Sequence, residues 1–258
     1  MKQRLDKLMA ERGLAATRSQ AESWIRLGRV KVDGRVVSKA GEFVNSQAEI
    51  ILDAPERYVS RAGLKLASVA QALKVDFSGK VVLDVGSSTG GFTDYALQNG
   101  ASKVIAVDVG TDQLHPKLRA DKRVELHEKT DIRNVELQNA TNEPRDTSHE
   151  KVVIGQSPGI VVIDVSFISL REILPHVACL AGRNSLIVAM VKPQFEASKK
   201  QIGSSGVIKN DTVRRGILHD FEQWARGYFT VINKADSSIA GARGNHERFY
   251  LLQKLNAK

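Results

Sequence analysis

The chain has almost no cysteine: Cys179 stands alone in 258 residues. That excludes an intrachain disulfide framework and a zinc site built on several thiolates. The six histidines (His115, His127, His149, His176, His219 and His246) show no metal-ligand spacing, so no metal is expected. Aromatic residues are scarce at 5%. The longest apolar stretch surrounds Leu186–Val191, far short of the about 20 residues a membrane helix needs. No basic start runs into an apolar core, so no signal peptide is expected. There is no internal repeat and no low-complexity tract. These absences point away from membranes, towards a cytoplasmic globular protein that is a monomer or weak oligomer.

What is present is a core and an excess of positive charge. Hydrophobic residues make up 42% of the chain. Lys and Arg number 38 against 29 Asp and Glu, a formal charge of +9 that favours polyanions. Residues 1–39 hold ten of the basic residues and four acids, hence +6 of that +9.

The same stretch has a readable pattern. Leu5, Leu8 and Met9 mark one face of a helix that Gly13 ends. Thr17 with Gln20, or Ser19 with Glu22, fits a capping box for a second helix. That helix turns Ala21, Trp24 and Ile25 inward and stops near Gly28. Two alternating segments then flank Asp33-Gly34, a strong hairpin signal. Val30, Val32 and Val36 are expected to face the helices. Arg29, Lys31 and Arg35 are expected to face solvent beside Arg18 and Arg26. Such a basic side suits a phosphate backbone of A-form shape.

Beyond Pro55, strands alternate with helices. Residues 60–74 read as a helix. Strands are expected at 81–85, 104–109, 124–127, 160–165 and 185–191, with late strands at 229–232 and 248–252. Helices fit near 93–99, 113–120, 169–180 and 211–226. This is an α/β chain with a mainly parallel, doubly wound sheet. Ligands then bind at the carboxyl ends of the central strands. The polar stretch 138–159 reads as a surface loop with a short ordered piece at Val152–Ile154.

Asp84-x-Gly86-Ser87-Ser88-Thr89-Gly90-Gly91-Phe92 follows the first strand of this sheet, and Asp108 ends the next. Glycines there let backbone approach a ligand at a helix start. An acid at the second strand tip commonly takes ribose hydroxyls. The spacing is not the nicotinamide fingerprint G-x-G-x-x-G, and Asp84 would repel a pyrophosphate. S-adenosylmethionine carries a sulfonium and an ammonium and no phosphate, so acid-rich surroundings suit it. Asp131, after the third strand, is a candidate adenine-edge partner. Four charged residues sit near element ends on the same side: Lys65, Asp164, Lys192 and Glu247. Trp24, Trp224 and Cys179 read as core, and Phe92 as packing below the glycine turn. Ser166 and Phe167 are candidates for shaping a base pocket. Lys199, Lys200, Arg214 and Arg215 are equally an extended RNA track or solvated charges.

Two resemblances cover nearly the whole chain. Arg4-Leu5-Asp6, Thr17-Arg18-Ser19-Gln20-Ala21, Ile25-Arg26-Leu27-Gly28-Arg29-Val30 and Val32-Asp33-Gly34 resemble the S4 RNA-binding domain. That implies binding to structured RNA, with Arg4, Arg18, Arg26, Arg29, Lys31 and Arg35 as candidate contacts. The stretches Tyr58–Leu66, Leu83–Thr93, Asp164–Leu170, Lys192–Glu196 and Gly241–Glu247 resemble the TlyA family, whose catalytic part is an FtsJ-like ribose 2′-O-methyltransferase. The resemblance divides the chain into an S4-like region 1–55, a linker 56–60 and a Rossmann-like methyltransferase region 61–258 with a seven-stranded sheet. It places the family's Lys-Asp-Lys-Glu tetrad on Lys65, Asp164, Lys192 and Glu247. It implies S-adenosylmethionine-dependent 2′-O-methylation of cytidine in ribosomal RNA, free or in a ribosomal subunit. Members act on large-subunit RNA, some also on small-subunit RNA, and many carry haemolysin names. The short basic start favours the large-subunit group. Arg57-Tyr58-Val59 stands where some members have a tryptophan-bearing linker. A ribose hydroxyl must lose its proton as it attacks the methyl in line. A lysine gives up its own proton more readily when desolvated beside another ammonium, which makes Lys192 the expected base. The competing readings are an RNA-binding protein on an inactive methyltransferase fold, which the complete quartet disfavours, and a pore-forming haemolysin, which the lack of a spanning run disfavours.

Overall fold

The structure is a computed structural model that describes residues 2–15, 18–26, 28–52, 58–138, 151–198, 201–202, 207–208, 210–241 and 244–255. The chain forms two compact units, Met1–Arg61 and Ala62–Lys258.

In the first unit, β1 (Lys2–Arg4) leads directly into α1 (Leu5–Glu11), followed by α2 (Arg18–Arg26). Leu5, Leu8 and Met9 of α1 and Ala21, Trp24 and Ile25 of α2 are buried, as their spacing requires. Gly13 and Gly28 take positive φ where the helices end. Thr17 and the side chains of Ser19 and Gln20, invoked for a capping box, lie outside the described residues. β2 (Val30–Val32) and β3 (Arg35–Val37) form the hairpin around Asp33-Gly34. β4 (Phe43–Asn45) pairs with β1, and β5 (Ile50–Leu52) pairs with β2; three-residue strands of this kind carry no periodic signal. One inward assignment is corrected. Val36 is 52% exposed, and Val37 is buried instead. The two-residue turn pairs Val32 with Arg35, Lys31 with Val36 and Val30 with Val37. Opposed residues share a face, so Val37 joins Val30 inside and Val36 joins Lys31 outside. By the same register Lys31 and Arg35 lie on opposite faces of the hairpin.

The second unit takes in all of α3 (Arg61–Leu73) but its first residue and continues β6 (Val81–Val85), α4 (Gly91–Gln98), β7 (Lys103–Val107), α5 (Pro116–Arg119) and β8 (Val124–His127). β9 (Val135–Leu137) and β10 (Val152–Ile154) make a separate two-stranded parallel ribbon. Then come β11 (Ile160–Ile163), α6 (Leu170–Leu180), β12 (Leu186–Val191), α7 (Pro193–Glu196), α8 (Asp211–Ala225), β13 (Phe229–Asp236) and β14 (Arg248–Lys254). The main sheet has the order β13-β14-β12-β11-β6-β7-β8. Five strands are parallel, and the β13–β14 pair closes one edge antiparallel. The chain winds outward from β6 in one direction and returns to β11 in the other. The cleft expected at such a reversal lies between the β6 and β11 tips.

The central strands β6, β11 and β12 are apolar apart from Asp84, because helices cover both faces. Cys179 departs from expectation and is exposed. On α6 the inward stripe is Leu170, Ile173, Leu174, Val177 and Ala178. A residue one step past Ala178 rotates about 100° out of that stripe.

The polar anchor of the first unit is Asp6, whose side chain is fully buried. It accepts hydrogen bonds from Arg4 Nε (3.0 Å) and Nη2 (2.8 Å), Arg18 Nε (2.8 Å) and the Lys7 amide (2.9 Å). Burial alone would raise this carboxyl; the Arg4 and Arg18 bonds hold it well below the usual carboxylate range. A folded value below the ordinary 3.8 means a contribution present above that value and lost as pH falls through the lower one. Acidification should therefore lower hydrogen-exchange protection in α1 and α2, measured against the intrinsic exchange rate at each pH. Asp6→Asn should lower it already at neutral pH, by about 2 kcal/mol of local stability once the half-exposed arginines are allowed for. Unchanged exchange in that variant would contradict the anchor role.

Candidate active site

The loop after β6 turns on three residues with positive φ: Gly86, Ser88 and Gly90. Gly86 is required twice. Its φ is +80°, and a Cβ there would sit 2.7 Å from the Asp164 carbonyl oxygen. The β6 and β11 tips approach too closely for any side chain. Gly90 precedes α4, and a Cβ there would strike Leu118 and Leu114. At the β7 tip, Asp108 accepts from the Ser88 amide (2.8 Å) and the Gly110 amide (2.7 Å). Ser88 Oγ donates to Gln113 Oε1 at 3.0 Å, so Gln113 bridges towards the glycine loop.

These tips enclose a cleft of about 370 Å³, lined among others by Gly86, Ser88, Asp108, Asp131, Asp164 and Phe167. Among the described residues no lysine or arginine lines it. Of the other proposed cofactor residues, Ser87, Gly90, Gly91 and Phe92 are buried behind the cleft wall, Thr89 is exposed, and none of them lines the cleft. Phe92 packs on Phe249 with ring centroids 6.0 Å apart. Asp131 reaches the cleft, but its carboxylate caps the 3₁₀ turn Ile132–Asn134 and binds Arg133 at 2.6 and 3.0 Å. Gln113 and Thr130 line the cleft without having been singled out. Thr130 sits beside Asp131 after a strand end, which is a usable signal; a lone glutamine in a loop is not.

Asp84 lies beneath the loop, fully buried. Oδ2 accepts from Thr93 Oγ1 at 2.6 Å, whereas Oδ1, like the buried Ser87 Oγ, has no hydrogen-bond partner among the described residues. Burial pushes the Asp84 carboxyl up to about 7; the Thr93 bond opposes this and the charge of Asp164 adds to it. A cleft with acids at its rim and floor and no lining cation suits a cationic, phosphate-free ligand.

The four candidate catalytic residues form two ion pairs at the same end of the sheet. Lys192 Nζ lies 2.7 Å from Asp164 Oδ1 and donates to Ser166 Oγ at 2.8 Å. Lys65 Nζ lies 2.5 Å from Glu247 Oε2. Register explains the convergence. Ile163 pairs with Ala189 and Val191 with Arg248, so Asp164, Lys192 and Glu247 leave adjacent strands at one edge. Gly241 is needed beside them, since a Cβ there would strike the Glu247 carboxylate. Lys65, Lys192 and Glu247 are all buried. Desolvating two ion pairs yields little net stability, and such clustering is characteristic of functional sites. Beside them Phe167 is 92% exposed at φ +68°, with its ring 5.3 Å from that of Phe195.

The candidate RNA contacts separate into two groups. Arg4 and Arg18 hold Asp6, and Arg35 pairs with Glu42 at 2.6 Å. Arg26 lies 4.0 Å from Glu22; Arg29 is exposed and Lys31 half-buried. In the second unit Arg214 is an internal strut, bound to Asp236 at 2.6 Å and to the His246 carbonyl at 3.0 Å. Lys199 and Lys200 lie outside the described residues. Among the described residues no acid, histidine and cysteine cluster is arranged to hold a metal ion, and no helix is long and apolar enough to cross a membrane.

Fold and cleft together define a class, an FtsJ-like methyltransferase joined to an S4 module. Residues 58–254 match the FtsJ-like methyltransferase family and residues 3–50 the S4 domain. The chain is 41% identical over 249 residues to YqxC of Bacillus subtilis, across 95% of this chain and 84% of that protein. It is 36% identical over 254 residues to a Mycobacterium tuberculosis protein named 16S/23S rRNA (cytidine-2′-O)-methyltransferase TlyA, across 97% of this chain and 89% of that one. A solved structure from Streptococcus thermophilus that carries a hemolysin name matches with a TM-score of 0.71 at 38% identity, over 99% of this chain and 90% of that one. The chain belongs to the TlyA family of FtsJ-like methyltransferases.

The Asp84 environment gives a signed expectation. Its folded value lies above the ordinary 3.8, so its contribution to stability declines as pH rises from there towards about 7. Asp84→Asn should match the natural chain below about pH 4 and exceed it in urea denaturation above about pH 7. A variant less stable at every pH would rule out a raised value.

Proposed function

We propose that this chain methylates the ribose 2′-hydroxyl of a cytidine in ribosomal RNA, with S-adenosylmethionine as donor, in the cytoplasm. The observation that carries the reading is the Lys192–Asp164 pair at the edge of a cleft lined by acids and, among the described residues, by no cation. Asp108 offers a carboxylate for ribose hydroxyls, and Gly86 and Ser88 offer close backbone. Asp84 supplies negative charge below. When bound, the cofactor supplies an activated methyl on a sulfonium.

The remaining work is alignment and proton handling. Lys192 in its neutral form takes the hydroxyl proton at Nζ, and Asp164 with Ser166 holds the ammonium so formed. Glu247, fixed by Lys65, positions the ribose. Phe167 presents a free aromatic face on which the target base stacks, a contact of about 1–3 kcal/mol. The S4 domain contributes RNA affinity through Arg26, Arg29 and Lys31, the candidates least committed to carboxylates. Large-subunit RNA is the first substrate to try, and small-subunit RNA the second.

Lys192→Ala should lower methyl transfer to unmodified ribosomal subunits by about 10²–10⁴-fold, the usual share of a general base. Calorimetric affinity for S-adenosylhomocysteine should stay unchanged, because Lys192 does not line the cleft. Mass mapping of ribose methylation reads the product. Turnover at the natural rate in this variant would refute the base assignment.

A further inference from the structure

We propose that Glu196 is a positioning residue, whose buried carboxylate staples the segment carrying Lys192 to the segment carrying Asp164, Ser166 and Phe167. The inference rests on the methyltransferase reading and extends it to a side chain outside both the cleft and the charged quartet. Glu196 ends α7, four residues beyond Lys192, and its side chain is 1% exposed. Oε2 accepts from Ser169 Oγ at 2.6 Å, and Oε1 accepts from the Leu170 amide at 2.7 Å. Both donors stand at the start of α6, where helical amides lack intrahelical partners. Ser169 Oγ meanwhile accepts from the Arg171 amide at 3.1 Å. A carboxylate from another segment thus completes this helix start, with Arg171 Nε 3.7 Å away as counter-charge.

The arrangement is expensive for a structural cap. Burial pushes the Glu196 carboxyl up from its ordinary value, against the Ser169 and Leu170 bonds. An apolar side chain would fill the space without desolvating a charge. What the carboxylate adds is a fixed separation between two loops. At their near end the loops are joined by the pairing of β11 with β12 and by the Lys192–Asp164 ion pair. Glu196 joins them again at the far end. Between the two ties lie the Lys192–Ser166 hydrogen bond and the contact of Phe167 with Phe195. Phe167 is almost wholly exposed, so the second tie bears much of the burden of orienting it. Displacing reacting groups by about 1 Å can cost about 100-fold in rate.

The test uses the full chain with Glu196→Ala, Glu196→Gln and Ser169→Ala, measuring methylation of unmodified ribosomal subunits and calorimetric affinity for S-adenosylhomocysteine. Glu196→Ala should lower kcat about 10–100-fold and shift its pH profile, since the Lys192–Asp164 pair loosens, while KM for the subunit and the calorimetric affinity hold. Glu196→Gln should recover most of the rate, because its carbonyl still accepts from the Leu170 amide and its NH₂ donates to Ser169. Ser169→Ala should lose an intermediate amount. The proposal is overturned if Glu196→Ala keeps the natural kcat and pH profile. It is equally overturned if kcat falls only in step with calorimetric affinity and melting temperature, without rescue by glutamine. Should the alanine variant not fold, natural behaviour of Ser169→Ala overturns it and a reduced kcat with a shifted profile supports it. A natural chain that neither binds S-adenosylhomocysteine nor methylates ribosomal RNA would instead remove the underlying methyltransferase reading.

Discussion

The site depends on one close approach, that of Gly86 to the Asp164 carbonyl. Two parallel strands, β6 and β11, run side by side and then send their chains to opposite sides of the sheet. The crevice opens where they part. It stays narrow because the residue at that point has no side chain. Asp84 and Gly86 on one strand, and Asp164 on the other, are consequently brought to one place. Their carboxylates repel one another, which adds to the burial that chiefly raises the Asp84 carboxyl. A positive ligand would relieve this repulsion, so the cleft is electrostatically biased towards cations.

The lysines complete that logic by their placement. Lys192 and Lys65 are close to the acids of the sheet edge, yet each is matched to its own carboxylate. Lys65 is spent on Glu247, outside the cleft lining, and Lys192 offsets only the share of Asp164, so Asp108 and the buried Asp84 keep the cleft negative. The same pairing restrains two long, flexible side chains that would otherwise sample many rotamers. A site that must align a hydroxyl with a methyl gains more from this restraint than from the modest net attraction of buried ion pairs.

Much of this was legible in the sequence because it follows period and strand ends. The seven strands of the main sheet, the long helices and the glycine turn all came from hydrophobic runs bounded by breakers. Asp108 and Asp164 were legible because they fall at the ends of predicted strands, Lys192 because it directly follows one, and Asp131 because it comes shortly after one. Glu247 was legible because it directly precedes the last predicted strand, but its arrival beside Lys192 depends on β14 running antiparallel beside β12. What could not be read was pairing between distant segments. Val36 against Val37 is decided by turn register, Cys179 by one step of helical rotation, and Glu196 by a contact spanning 26 residues. Nothing periodic marks such contacts.

The same limit bears on the positive charge, and it changes how that charge should be weighed. A count of +6 over the first 39 residues treats every cation as available to a polyanion. The structure commits Arg4 and Arg18 to Asp6, and Arg12 to the carbonyls of Ser46 and Ala48. These arginines still carry charge and still contribute to the long-range field. They cannot all swing to meet a phosphate without giving up a buried carboxylate. The first unit therefore uses part of its arginine content to hold two short helices and a few three-residue strands together, a task for which so small a core has few other means. Net charge then speaks to attraction at a distance. Contact falls to the cations left over, and it is these that a binding surface for structured RNA has to be built from.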